Sequence, residues 1–139
     1  MASLIYNSGK ELILKTDLTG ITLKCALVTS SYTADKDAHE NFDDITNEIS
    51  GTGYTAGGAT LANVSTNIDD TNDRGELDAD DVTWASSTLT ARAGVLYYST
   101  GTAATSTLIA YIDFGEDYSS DSSDFVIEWN SEGILALGE

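Results

Sequence analysis

The sequence predicts an all-β chain folded as a single-domain β-sandwich. A jelly-roll-like arrangement is the first choice, with an immunoglobulin-like sandwich or a small barrel as alternatives. Three observations carry this. Residues 77–137 hold four successive segments, 77–86, 89–99, 107–114 and 124–137, rich in Val, Ile, Thr, Tyr, Trp and Phe and flanked by Ser, Gly, Asn or Asp. That is the composition of pleated, half-buried strands between turns. Within these segments apolar residues recur at every second position, so each strand has one face to bury. Finally, no long stretch has helical periodicity, and at least six short strands with short connections point to two layers of sheet.

Residues 1–20 read as an extended N-terminal arm or an edge strand. Leu12, Ile13 and Leu14 are contiguous, and residues 17–20 look like a turn. Residues 21–139 are then the sandwich domain. Residues 21–29 form a strand with Ile21, Leu23, Cys25 and Leu27 on one face. Thr22, Lys24, Ala26 and Val28 lie on the other, a mixed face of the kind seen on a sheet partly covered on both sides. Residues 30–48 are a polar connection in which Asp37 is placed to cap a short helical turn, with Phe42 and Ile45 pinning the loop to the core. Residues 47–63 carry four glycines in seventeen positions, with Tyr54 among them. These indicate tight turns. A phosphate-cradling loop would need a following helix or a Lys, and the segment has neither.

In the later strands, Ala91, Ala93, Val95 and Tyr97 share a face, opposite Gly94, Leu96 and Tyr98. Leu108, Ala110, Ile112 and Phe114 share another, and Phe125, Ile127 and Trp129 a third. Ser86–Ser87, residues 99–106, the acidic run 115–123 and residues 130–133 read as turns. Trp84 and Trp129 read as core, or as exposed interface anchors.

Charge and composition narrow the function classes. The 139 residues include 23 acidic against 6 Lys plus Arg, a net charge of −17. Phosphate backbones and anionic membrane surfaces are bound through Lys and Arg, so neither nucleic acid nor membrane is expected as a partner. No apolar run approaches the roughly 18 residues of a spanning helix, and no signal-peptide pattern opens the chain. The expectation is synthesis in a cytoplasm without export by the usual signal.

The lone cysteine, Cys25, reads as a small buried hydrophobe. The single histidine, His39, lies in an acidic loop, so no thiol–imidazole pair is expected. Asp69, Asp70, Asp73, Glu76, Asp78, Asp80 and Asp81 form an acidic cluster. Asp70-x-Asn72-x-Arg74-Gly75 with Asp81 partly fits a calcium loop of about twelve residues. However, Arg74 stands where an oxygen ligand belongs, Asp81 replaces the usual Glu, and no helices flank the segment. A solvated turn is the preferred reading. No catalytic, cofactor-binding or metal-ligating residue is therefore assigned, and no small-molecule substrate is expected.

Several strings together suggest a family. They are Ala26-Leu-Val-Thr-Ser-Ser-Tyr-Thr-Ala-Asp-Lys-Asp-Ala-His39, Ile49-Ser-Gly-Thr-Gly-Tyr-Thr-Ala-Gly-Gly-Ala-Thr-Leu61 and Leu77-Asp-Ala-Asp-Asp-Val-Thr-Trp84. The pieces at 91–98, Leu108-Ile-Ala-Tyr-Ile-Asp-Phe-Gly115 and Phe125-Val-Ile-Glu-Trp-Asn130 continue the order. Over residues 21–137 the chain resembles a recurrent group of tailed-bacteriophage virion structural proteins. The resemblance implies a virion component and transfers no active-site residue.

Within that class the expected role is a capsid decoration, or cement, protein. It would form a homotrimer on the outer capsid surface and bridge major capsid protein subunits through the N-terminal arm or a rim of loops. The alternative is another virion binding module, such as a head-fibre, tail or receptor-binding component, with the seven tyrosines as anchors. A glycosidase built on paired carboxylates is the third option. The acidic residues lie in turn-like segments, which argues against it.

Overall fold

A computed structural model of the chain describes residues 2–138. It is all-β apart from one short helix, as expected, and two antiparallel sheets share a core. The elements are β1 (Leu4–Ile5), α1 (Asn7–Lys15), β2 (Leu23–Val28), β3 (Ala59–Thr60), β4 (Ser65–Asp69), β5 (Arg74–Asp78), β6 (Val82–Tyr98), β7 (Leu108–Ile127) and β8 (Leu135–Gly138). The larger sheet runs β1-β7-β6-β2-β3 and the smaller runs β4-β5-β8.

Strand β2 is buried on both faces of the large sheet, more fully than the partial cover its mixed pattern predicts. Register places Cys25 opposite Leu96 and Leu96 opposite Ala110. This face joins Leu23, Leu27 and Ile109 to the core that also holds Leu77 of the small sheet and Leu12 of α1. On the opposite face Ala26, Val28, Ala93, Val95, Tyr97 and Tyr111 make a second core. It is covered by Tyr6, Tyr32, Ala34, Phe42 and Ile45 from the N-terminal segment and the 30–48 connection. Phe42 stacks on Tyr97 with ring centroids 4.3 Å apart. The polar connection is therefore a packed cover rather than a free loop.

Four local expectations need correction. Residues 7–15, read as arm or strand, form α1. Gly9 brings this helix onto the backbone of β7, where an added Cβ would lie 2.5 Å from the Ile109 carbonyl oxygen. Tyr6 is fully buried, and its N–H donates to the Ile109 carbonyl. The capping carboxylate near residue 37 is Asp35, which accepts from the N–H groups of Asp37 and Ala38. Asp37 instead accepts from the Asn7 amide at 2.7 Å.

The third correction concerns turns. Ser86–Ser87 and residues 115–123 do not reverse the chain; both lie within one long β6–β7 ribbon. Serines and carboxylates on its solvent side imitate turn composition. Irregularities absorb the mismatch: Ser86 has φ 49°. Buried Ser87 donates to the Trp84 and Ser123 carbonyls at 2.9 and 3.0 Å. Fourth, Leu108 does not share a face with Ala110. Pairing steps from Leu96↔Ala110 to Tyr97↔Leu108, leaving Ile109 bulged and reversing the alternation. In the same way Ala91, expected on the face of Ala93, Val95 and Tyr97, packs in the other core, because the register shifts between Ala91 and Ala93.

Candidate interaction surface

Burial decides first which side chains are free to do chemistry. Cys25 is completely buried, and burial pushes its thiol up to about 12. That suits a packed hydrophobe and leaves no thiolate at neutral pH. The His39 ring stacks on Tyr32. Its Nδ1 lies 2.9 Å from the Tyr32 hydroxyl and accepts from the Asp35 N–H at 3.2 Å. The Tyr32 hydroxyl is in turn 2.9 Å from that of buried Tyr6. This chain fastens the connection to the N-terminal segment, so the histidine is occupied in holding the cover down.

The glycine-rich segment is organised by a carboxylate. Glu48 Oε1 accepts from the Tyr54 hydroxyl at 2.7 Å and from the Gly57 N–H at 2.6 Å. The Tyr54 hydroxyl accepts from the Leu27 N–H at 3.0 Å, and the Tyr97 hydroxyl donates to the Gly57 carbonyl. Burial raises both phenols, so both remain protonated donors. The segment is therefore a structural clasp on β2.

The acidic cluster divides between the β4–β5 hairpin and the start of β6. Asp69 accepts from the Thr71 and Asn72 N–H groups and from the Asn72 amide, closing the turn. The Asn72 amide and those N–H groups hold the Asp69 carboxyl below the usual range. Arg74 lies 3.4 Å from Asp69, 3.0 Å from Glu76 and 3.1 Å from Glu132. The position that spoils the calcium-loop match is thus a cation gathering three carboxylates. Asp80 and Asp81 bind Trp129, whose indole N–H reaches the Asp80 carbonyl at 3.0 Å. Among the described residues no group of three or more His, Cys, Asp or Glu converges to hold a metal ion. No helix there is long and apolar enough to cross a membrane.

What stands open is apolar. Register sets Thr66 beside Leu77 and Leu77 beside Leu135, with Ile68 beside Gly75 and Gly75 beside Leu137. Residues directly opposite in a sheet share a face, so one face of the small sheet carries all six. Its inner end, at Leu77 and Leu135, packs into the core. Its outer end overhangs, and Ile68 and Leu137 are 77% and 63% exposed. Between them Gly75 contributes no side chain, leaving a hollow. The hollow continues as a groove of about 640 Å³ walled by Ile13, Leu18 and the small sheet.

The opposite face of the overhang is polar, since Asp69 pairs with Arg74 and Arg74 with Gly138. Sequence reading missed this surface. Ile68 sits between Asn67 and Asp69, and Leu137 in a short terminal run, so neither looked like part of an apolar face. The signal was the matched alternation Thr66, Ile68 and Leu135, Leu137 around Gly75.

Most tyrosines proposed as recognition anchors are inside: Tyr6, Tyr32, Tyr97 and Tyr111 are buried. Tyr118 is half exposed on the outer ribbon and packs edge-on against Phe114. Trp84 is buried against Phe125. In comparisons with known proteins, no family model, curated protein or solved structure matches this chain.

Proposed function

We propose that this chain is a structural virion protein of a tailed phage that works by adhesion, decorating the outer capsid surface and bridging major capsid protein subunits. The observation that carries the adhesive part is the overhang, where two aliphatic side chains, Ile68 and Leu137, stand in water beside an open groove. Burying one such side chain stabilises by roughly 1.5–3 kcal/mol, a gain that the free chain forgoes at both positions and that a partner covering them would supply. The virion setting is supported by the resemblance carried by residues 26–39, 49–61 and 77–84. The net charge of −17 suits a coat of many copies that repel one another until seated.

In this reading three copies surround each local three-fold position of the lattice. Each contact is modest, and the summed contacts resist lattice rupture through multivalency. Cryo-electron microscopy of the purified particle, with quantitative mass spectrometry of its proteins, tests the assignment. Hundreds of copies in a regular array on the capsid exterior are expected. A handful of copies at a tail or fibre would replace decoration by another virion role, and absence from the particle would overturn the proposal.

A further inference from the structure

Resting on the reading of the overhang as the adhesive site, we infer that its groove receives a short aliphatic segment of a partner protein flanked by Lys or Arg. The apolar half of this specification comes from the side chains already named. Ile68, Leu137 and Ile13 offer aliphatic contacts, and Gly75 leaves the gap into which a partner side chain fits.

The basic half comes from charge. Of the described residues walling the groove, none is cationic, whereas Asp17 is one of them. Hydrogen bonds from the Thr19 hydroxyl and N–H hold the Asp17 carboxyl below the usual range, so it stays ionised. The hairpin turn ending the overhang adds Asp70 and Asp73. Two cations that border these elements in sequence are committed elsewhere: Arg74 to its three carboxylates on the opposite face, and Lys15 to Glu11 at 2.8 Å.

The same charge argues against a second copy as occupant. Two overhangs brought together would oppose their aspartates, with −17 on each body. A groove that admits a few side chains also falls well short of the ~800 Å² per partner of a stable dimer.

The test uses the full-length protein and a short synthetic peptide alternating leucine and lysine, with a leucine–glutamate peptide as its counterpart. Binding is read by fluorescence anisotropy at low and high salt. The leucine–lysine peptide is expected to bind, to weaken as salt screens the carboxylates, and to lose at least about tenfold in affinity in the double variant Ile68→Asp, Leu137→Asp. Both positions are solvent-exposed, and circular dichroism checks that the variant folds. The substitutions add negative charge, so purely electrostatic attraction would tighten instead. Unchanged or tighter binding in the variant overturns the inference, as does equal binding of the leucine–glutamate peptide. A wild-type oligomer that the double variant splits into monomers also overturns it, making the groove a self-interface. Sedimentation with capsids, run in parallel, separates the two readings. Peptide binding without capsid binding sinks the virion role and leaves the groove specificity standing.

Discussion

Replacing Gly58 by alanine isolates what the glycine-rich clasp contributes. Gly58 has φ +80°, and a Cβ there would fall on the Cys25 carbonyl and lie 2.6 Å from the Ala26 Cα. Strand β2 cannot yield, because it is hydrogen-bonded to β3 and β6 and buried on both faces. The clasp must move outward instead. That displacement breaks the Tyr97–Gly57 hydrogen bond, worth about 1 kcal/mol net, and the charge-assisted Gly57–Glu48 bond, worth about 2 kcal/mol. The left-handed backbone adds about 1 kcal/mol.

A loss of about 4 kcal/mol is a large fraction of the ~5–15 kcal/mol that holds a domain folded. With a urea slope of about 2 kcal/mol per molar, the midpoint should fall by about 2 M. Gly101→Ala is the control. Gly101 has a comparable φ of +87° but nothing within 4 Å of the added Cβ, so only the backbone cost of about 1 kcal/mol applies. Equilibrium urea unfolding by tryptophan fluorescence measures both. Equal midpoints for the two variants would show that the contact with β2 is not what requires glycine, and the reasoning would fail.

Two further outcomes are expected from the packing. A chain lacking residues 1–15 should lose its cooperative thermal transition in circular dichroism. Tyr6 and Leu12 are buried and each contributes on the order of 2 kcal/mol, and a wild-type melt would mean the segment is an appendage after all. The Arg92 guanidinium, 2.9 Å from Asp113, holds that carboxyl below its usual range. A lowered folded value means the carboxylate stabilises above the unfolded pKa near 4, and the contribution disappears as pH falls through the folded value. Arg92→Ala should therefore move the Asp113 titration upward in carboxyl-detected NMR and shift the acid limb of stability the same way; an unmoved titration would show that other neighbours set it.

Much of the architecture was legible in order along the chain. The two faces of β2, the shared face of Ala93, Val95 and Tyr97, the burial of Cys25 and the pinning role of Phe42 all come from alternation and composition. Side-chain direction in a strand is a local property of the backbone and needs no knowledge of neighbours. The turns were legible only where polar residues do reverse the chain, as between β6 and β7. Along the outer ribbon the same polar residues face water from within a strand, and composition does not separate the two cases.

Pairing decided the remainder. The bulge at Ile109 flips Leu108 to the other face, and only the register against β6 reveals it. Helix α1 exists because Tyr6, Gly9 and Leu12 find a seat on the sheet; nine residues with a weak apolar stripe would not hold a helix alone. The overhang, too, depends on segments far apart in sequence. Ile68 and Leu137 become one surface only when β4 and β8 flank β5, and both stay largely exposed in the folded chain. Which apolar residues a fold buries is set by local pattern; which it leaves open depends on where its layers stop overlapping, and that is a property of the assembled chain.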